Sequence, residues 1–268
     1  MRRAHEPTRE SVRSAPTRTA TRFAWITFGV MPTYIHEPHT GHRSVSGGLA
    51  RAAVFGVSDG LVSNVSLILG FAGSGVDNTV VRLAGLAGAV AGGISMAAGE
   101  WVSVTSQNDL IERELSIERR ELKHNTAHET EELASYYESH GMSPERAAGA
   151  AEEVMQQPEI ALAVHAREEL GIDPNELPSA MWTAGLSFVC FLFGAFLPLA
   201  PWYIGGGATA AWSSLAIGVV AAGVVGGIVA GFAERSIISG VARQVAIVLV
   251  ACGVTYLIGE LVGVNVAG

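Results

Sequence analysis

The amino-acid sequence predicts an all-α protein, a five-helix transmembrane bundle with a helical, acidic insertion between the second and third helices. Three observations predict it. Five stretches are apolar over at least about 20 residues, the length a helix needs to cross a hydrocarbon core of ~30 Å. Charge is scarce and uneven: 16% of the 268 residues are charged, against about 25% in soluble domains, and one block holds most of it. Lys and Arg are strongly asymmetric, with 16 of the 17 falling on one side when the chain is threaded through five spans. Backbone groups in lipid must be paired within their own segment, so the spans must be helices.

Residues 1–45 are rich in Arg, Ser, Thr, Pro and His without a long apolar period and read as a disordered tail. Within it the apolar run Phe23–Met31 is too short to span a bilayer and lacks a small-residue cleavage site. Met31 offers an alternative start, which would make residues 1–30 an artefact of annotation. Residues 46–106 hold the first two spans, at about 49–73 and 80–106, and residues 179–268 hold the other three, at about 180–203, 207–233 and 238–263. Between them, residues 107–178 form the insertion. The Lys and Arg distribution puts the tail and the insertion in the cytosol. The plasma membrane is the expected location.

The spans carry small residues at four-residue spacing, Gly56/Gly60, Gly88/Gly92, Gly223/Gly227 and Gly227/Gly231. Such faces let helices approach closely, within a bundle or between protomers. Cys190 and Cys252 lie in apolar runs and are expected as free thiols. A net charge of −8 and the lack of a basic, aromatic-interleaved stripe exclude a nucleic-acid binder.

The insertion contains 17 acidic and 6 basic side chains, a net of −11. It reads as an extension of span two to about 124, a helix over about 127–140 ending at Gly141, and a third helix. Ser143 should cap that third helix with Pro144 at its first position, Pro158 should break or restart it, and Gly171 should end it. Glu118 and Glu121 are three residues apart and share a helix face, as do Glu129 and Glu132 on the next helix. Glu169, with His165 one turn before it, can join from the third. Converging carboxylates repel one another unless a cation binds. Oxygen-rich sets suit Mn²⁺, Mg²⁺, Ca²⁺ or Fe²⁺, and a nearby imidazole shifts the preference towards Fe²⁺ and Zn²⁺. The bland reading of the same pattern is a solvated acidic face.

Three acids fall inside the spans: Asp59, Glu100, and Glu260 near the far end of span five, which reads as interfacial. Asp59 is about ten residues into span one, hence ~15 Å deep, where an ionisable side chain reads as functional. Met96 reaches a similar depth from span two, and Glu100 lies one turn nearer the cytosol on the same face. Asp59, Met96 and Glu100 therefore line one candidate path. A carboxylate paired with a thioether favours Fe²⁺, Co²⁺, Ni²⁺ or Zn²⁺ over Mg²⁺ and Ca²⁺. The competing reading has Asp59 bonded to Ser63, Met96 as packing and Glu100 as a headgroup-level acid.

The runs GVSDGLVSNVSLILG (56–70), SMAAGEWVSVTSQND (95–109) and HAREELGID (165–173) resemble the vacuolar iron transporter family, which includes nodulin-like plant proteins. The resemblance covers about residues 43–268. It implies a homodimer of five-helix protomers with a cytosolic metal-binding domain between spans two and three. It also implies proton-coupled export of Fe²⁺, and often Mn²⁺, from the cytosol. The family's membrane path falls on Asp59 and Met96, and its cytosolic glutamates fall on Glu118, Glu121, Glu129, Glu132 and Glu169. Plant members carry two adjacent Met where this chain has His165 and Ala166, and an intramembrane Glu of some members falls on Gly88.

The leading expectation is thus a divalent-metal transporter working by proton antiport, not an enzyme, with lipid, metal ions and protons as its partners. Two alternatives stand beside it. One is a membrane-anchored di-iron or ferritin-like oxidase, suggested by Glu121-x-x-His124 but lacking the second such motif. The other is a structural or metal-sensing membrane protein whose acidic block binds a partner.

Overall fold

The computed structural model describes residues 48–174 and 177–266, without the side chains of 264–266. The expected tail and its run Phe23–Met31 lie outside the described residues. Among those described there are helices and no strand. In chain order they are α1 (Gly48–Gly73), α2 (Asn78–His124), α3 (Thr126–Ser139), α4 (Pro144–Met155), α5 (Pro158–Glu169), α6 (Ala180–Leu199), α7 (Pro201–Ile204), α8 (Gly207–Phe232) and α9 (Ile237–Val266). Five of them, α1, α2, α6, α8 and α9, are long and apolar enough to cross a membrane. The expected five-span helical bundle is the observed architecture.

Helix α1 is the axis of the bundle. It packs on α2, α6, α8 and α9, and half of its apolar window is buried, against 11% for α9. Leu61, Val65 and Leu69 on α1 meet Ala222 on α8 and Val248 and Cys252 on α9. The tightest crossing is with α6. A Cβ at Gly60 would fall on the Phe191 carbonyl, and one at Gly194 would fall on the Val57 carbonyl. The Gly56/Gly60 face therefore serves packing within the protomer, where contact between backbones supplies the van der Waals energy that lipid cannot. The α8–α9 crossing within the protomer uses other glycines. Gly223 and Gly227 make only ordinary contacts there, and the close approach is Gly226 against Gly240.

The outer face is apolar, as lipid requires. Leu83, Met181, Trp182, Trp212, Ile238 and Val250 are all exposed. Trp101 and Trp182 lie towards the insertion and Tyr203 and Trp212 towards the opposite side, as an aromatic belt at each interface would have them.

The third span was expected to run to 203. It is instead split at Ala200, because Pro201 cannot donate to the ladder and starts α7 anew. Trp202 then turns inward. Its Nε1 donates to Ser214 Oγ at 2.9 Å, and that hydroxyl donates to the Pro198 carbonyl at 2.6 Å, tying α6, α7 and α8 together.

Helix α2 has 47 residues, about 70 Å at 1.5 Å per residue. That is more than twice the bilayer core, so its second half projects from the membrane and carries the insertion. The boundary expected at 106/107 falls inside this uninterrupted helix. Pro158 does separate two helices, α4 and α5. Gly141 and Gly171 follow helix ends with φ of +93° and +65°, the left-handed geometry that glycine adopts without penalty. Ser143 occupies the N-cap position before Pro144, but its side chain makes no capping bond. Ile111 and Leu115 on α2 pack against Leu162 and Ala166 on α5, and this contact sets the register of α5 over α2.

Candidate functional site

That register brings four side chains to one point. Glu118 comes from α2, Glu129 from α3, and His165 and Glu169 from α5. Each offers a ligand atom, and these atoms all lie within 4.8 Å of one another. His165 is at the centre, 1% exposed. Its Nδ1 is 2.9 Å from Glu169 Oε1, 3.2 Å from Glu118 Oε1 and 3.7 Å from Glu129 Oε2. One ring nitrogen carries at most one proton, so it can satisfy only one of three carboxylates. Glu118 Oε1 and His165 Nε2 are buried without a hydrogen bond among the described residues.

The electrostatics record this crowding. Burial, and then the charges of Glu169, Glu129 and Glu132, push the Glu118 carboxyl up to about 7, against the opposing pull of His165. Glu129 is raised too, chiefly by burial and further by Glu132 and Glu169, while His165 and His128 oppose. A divalent cation at the centre would relieve both effects at once. Three carboxylates and one imidazole form a donor set for Fe²⁺, Mn²⁺ or Zn²⁺.

A second, exposed group adjoins the first. His128 Nδ1 lies 3.7 Å from Glu132 Oε2 and 4.0 Å from Glu129 Oε1, so Glu129 belongs to both groups. Glu132 is thus beside the cluster rather than in it. Glu121 is outside both groups, where its carboxylate accepts a hydrogen bond from Asn125 Nδ2 in the α2–α3 link. Helix spacing does put Glu118 and Glu121 on one face, but the tight turn at Asn125 lets α3 reach only the former. His124 is exposed and also outside the groups, so the Glu121-x-x-His124 pair builds no centre here.

In the membrane, a cavity of ≈ 460 Å³ runs between α1 and α2, with Asp59, Met96 and Glu100 all in its wall. Ser63 Oγ donates to the backbone carbonyl of Asp59, at 2.6 Å, and not to its carboxylate. The carboxylate has no partner among the described residues and stands exposed at the open side of the cavity. Met96 also packs against Ala89, Phe191 and Ala195, so it is both lining and packing. Glu100 is not a free headgroup acid: Arg51 Nη2 lies 3.2 Å from its Oε1.

Three residues escaped the sequence reading. Asn64 lines the same cavity and is 2% exposed. Its Nδ2 donates to the Ala195 carbonyl at 2.7 Å, while its Oδ1 is buried without a partner. Gly88 opposite leaves room beside that oxygen. A polar side chain within an apolar span, five residues after Asp59, was the available signal. His128 and Arg51 carried no signal beyond exposed polarity at a helix start.

The family model of the VIT family matches residues 50–260, a range that contains every residue of both sites. The chain belongs to the VIT family. Among similar proteins, vacuolar iron transporter 2 of Oryza sativa subsp. japonica is 30% identical over 166 residues, 62% of this chain and 68% of the relative. A vacuolar iron transporter of Acanthamoeba castellanii is 36% identical over 171 residues, 64% and 61% of the two chains. Vacuolar iron transporter homolog 1 of Oryza sativa subsp. japonica is 32% identical over 222 residues, 80% and 74%. Family membership places this VIT chain among transporters and not among enzymes.

Proposed function

We propose that this VIT-family chain exports divalent iron from the cytosol by exchange with protons, with Mn²⁺ as a second cargo. The cytosolic cluster of Glu118, Glu129, His165 and Glu169 captures the cation, and Zn²⁺ competes for it. The groove of Asp59, Met96 and Glu100 then passes the cation through, with the free oxygen of Asn64 as a further donor. The observation that carries this reading is that the Asp59 carboxylate, without a partner among the described residues, lines the same cavity as the Met96 thioether. An acid there is costly to hold in lipid, and a cation or a proton removes the cost. Exchange follows from the same chemistry, because a ligand carboxylate must lose its proton to bind metal and regains it to release.

The proposed unit is a homodimer. Asp59 is exposed on the single chain, beside exposed Phe55 and a broad apolar face of α2. A second copy over this face would shield the acid from hydrocarbon. The proposed membrane is the plasma membrane, with residues 107–178 on the cytosolic side by the positive-inside rule.

The test is uptake of Fe²⁺ and Mn²⁺ into proteoliposomes under an imposed pH gradient. Wild type should take up metal while the lumenal pH shifts in step, and Asp59→Ala should fall to the protein-free background. No uptake by folded wild type would defeat the transport reading.

A further inference from the structure

A second cavity, of ≈ 700 Å³, lies where the insertion meets the membrane. Its wall includes Gly171 and Asp173, just past Glu169, together with Gln107 and Thr183, and at its other end Arg51 and Glu100. Among the described residues, Glu100 is the one common to the walls of this vestibule and of the membrane groove. The vestibule thus runs from the segment that follows α5 to the mouth of the groove, and Arg51 sits on the residue where the two cavities meet.

We propose that Arg51 is a tethered counter-cation that plugs the cytosolic mouth of the groove, and that a divalent cation enters by replacing its guanidinium on Glu100. This rests on the transport reading for its cargo, but not for its geometry. The two partners differ in the way a plug requires. Glu100 is 14% exposed, so its carboxylate needs a cation beside it, while Arg51 is 72% exposed on the single chain. Arg51 precedes Asp59 by eight residues on α1, about 12 Å, so it guards the entrance and does not touch the deeper donors. Among the described residues, the vestibule wall's second acid is Asp173, which is engaged by Arg167 on α5. Arg51 therefore competes with cargo for Glu100. A partly exposed ion pair holds strongly enough to leave the carboxylate uncovered about one fifth of the time. Apparent cargo affinity would then be lowered about fivefold.

The test is the rate at which a membrane-impermeant, positively charged thiol reagent reaches Ser95→Cys in the groove from the cytosolic face of inside-out vesicles. The parent chain, with its own Cys190 and Cys252, sets the background. Adding Arg51→Gln should speed labelling about fivefold, and Arg51→Lys should restore the slow rate. Labelling that is equally fast with Arg51 intact and in both of its variants overturns the proposal. Half-saturating Mn²⁺ for uptake is measured on the same Arg51 variants without Ser95→Cys, and should fall about fivefold in Arg51→Gln. If wild type takes up no metal, the transport reading fails, while the labelling rates still decide whether Arg51 closes the groove.

Discussion

The cluster in the insertion and the groove among the spans both offer carboxylates but hold them in opposite ways. In the cluster, three carboxylates and an imidazole from three helices crowd within 4.8 Å, mostly buried and mutually repelling. In the groove, one unpaired carboxylate, one thioether and one free amide oxygen are strung along a cavity of ≈ 460 Å³ with an open side. On the proposed reading, dense charge makes a site that would capture a cation strongly and suffer without it. Sparse donors make a site that a cation can enter and leave. A protein that both collects and passes a cation needs the two in series, and α2 joins them because its one rigid length carries Met96, Glu100 and Glu118.

The largest expected effect separates the two sites outright. Asp59→Ala should abolish uptake and leave Mn²⁺ binding by the detergent-solubilised full chain within about twofold of wild type. His165→Ala should do the reverse in binding. It removes the buried centre of the cluster and should weaken affinity at least about tenfold, since loss of even an indirect ligand partner costs about 10–100-fold. Calorimetric titration of both variants checks the pair. Similar losses in both would show that the sites are not distinct.

A smaller effect is the pH dependence of the metal-free protein. The Glu118 carboxyl is raised to about 7 in the folded chain, from 4.5. Folding therefore favours its protonated form. The penalty is absent below about 4.5, grows as pH rises through this window and is complete above about 7. Metal-free thermal stability should fall between pH 5 and pH 8, and the increment added by Mn²⁺ should grow over the same range. Glu118→Gln should flatten the metal-free profile. Melting curves at four pH values, with and without Mn²⁺, measure this, and a metal-free profile that rises with pH would contradict it.

The smallest expected effect concerns Glu121. The family resemblance counts it as a ligand, but its carboxylate is turned to Asn125. Glu121→Gln should leave Mn²⁺ affinity within about twofold of wild type. A tenfold loss would mean that the cluster rearranges to include it when cation binds.

The amino-acid sequence by itself determined the five spans and the projecting acidic block, because these follow from length, apolarity and the placement of charge along the chain. It also singled out Asp59, whose cost in lipid is a property of the residue and its depth alone. The break at Ala200 was equally available from Pro198 and Pro201, though the expected span ran past it. Only the tertiary structure decided which of five candidate glutamates meet. Helix spacing offers Glu118 and Glu121 alike; the turn at Asn125 and the packing of Leu162 and Ala166 on Ile111 and Leu115 select Glu118, Glu129 and Glu169 around His165. The Arg51–Glu100 pair and the bond from Asn64 Nδ2 to the Ala195 carbonyl likewise join residues separated by 49 and 131 positions. Local periodicity does not reach that far, since such contacts are fixed by how whole helices pack.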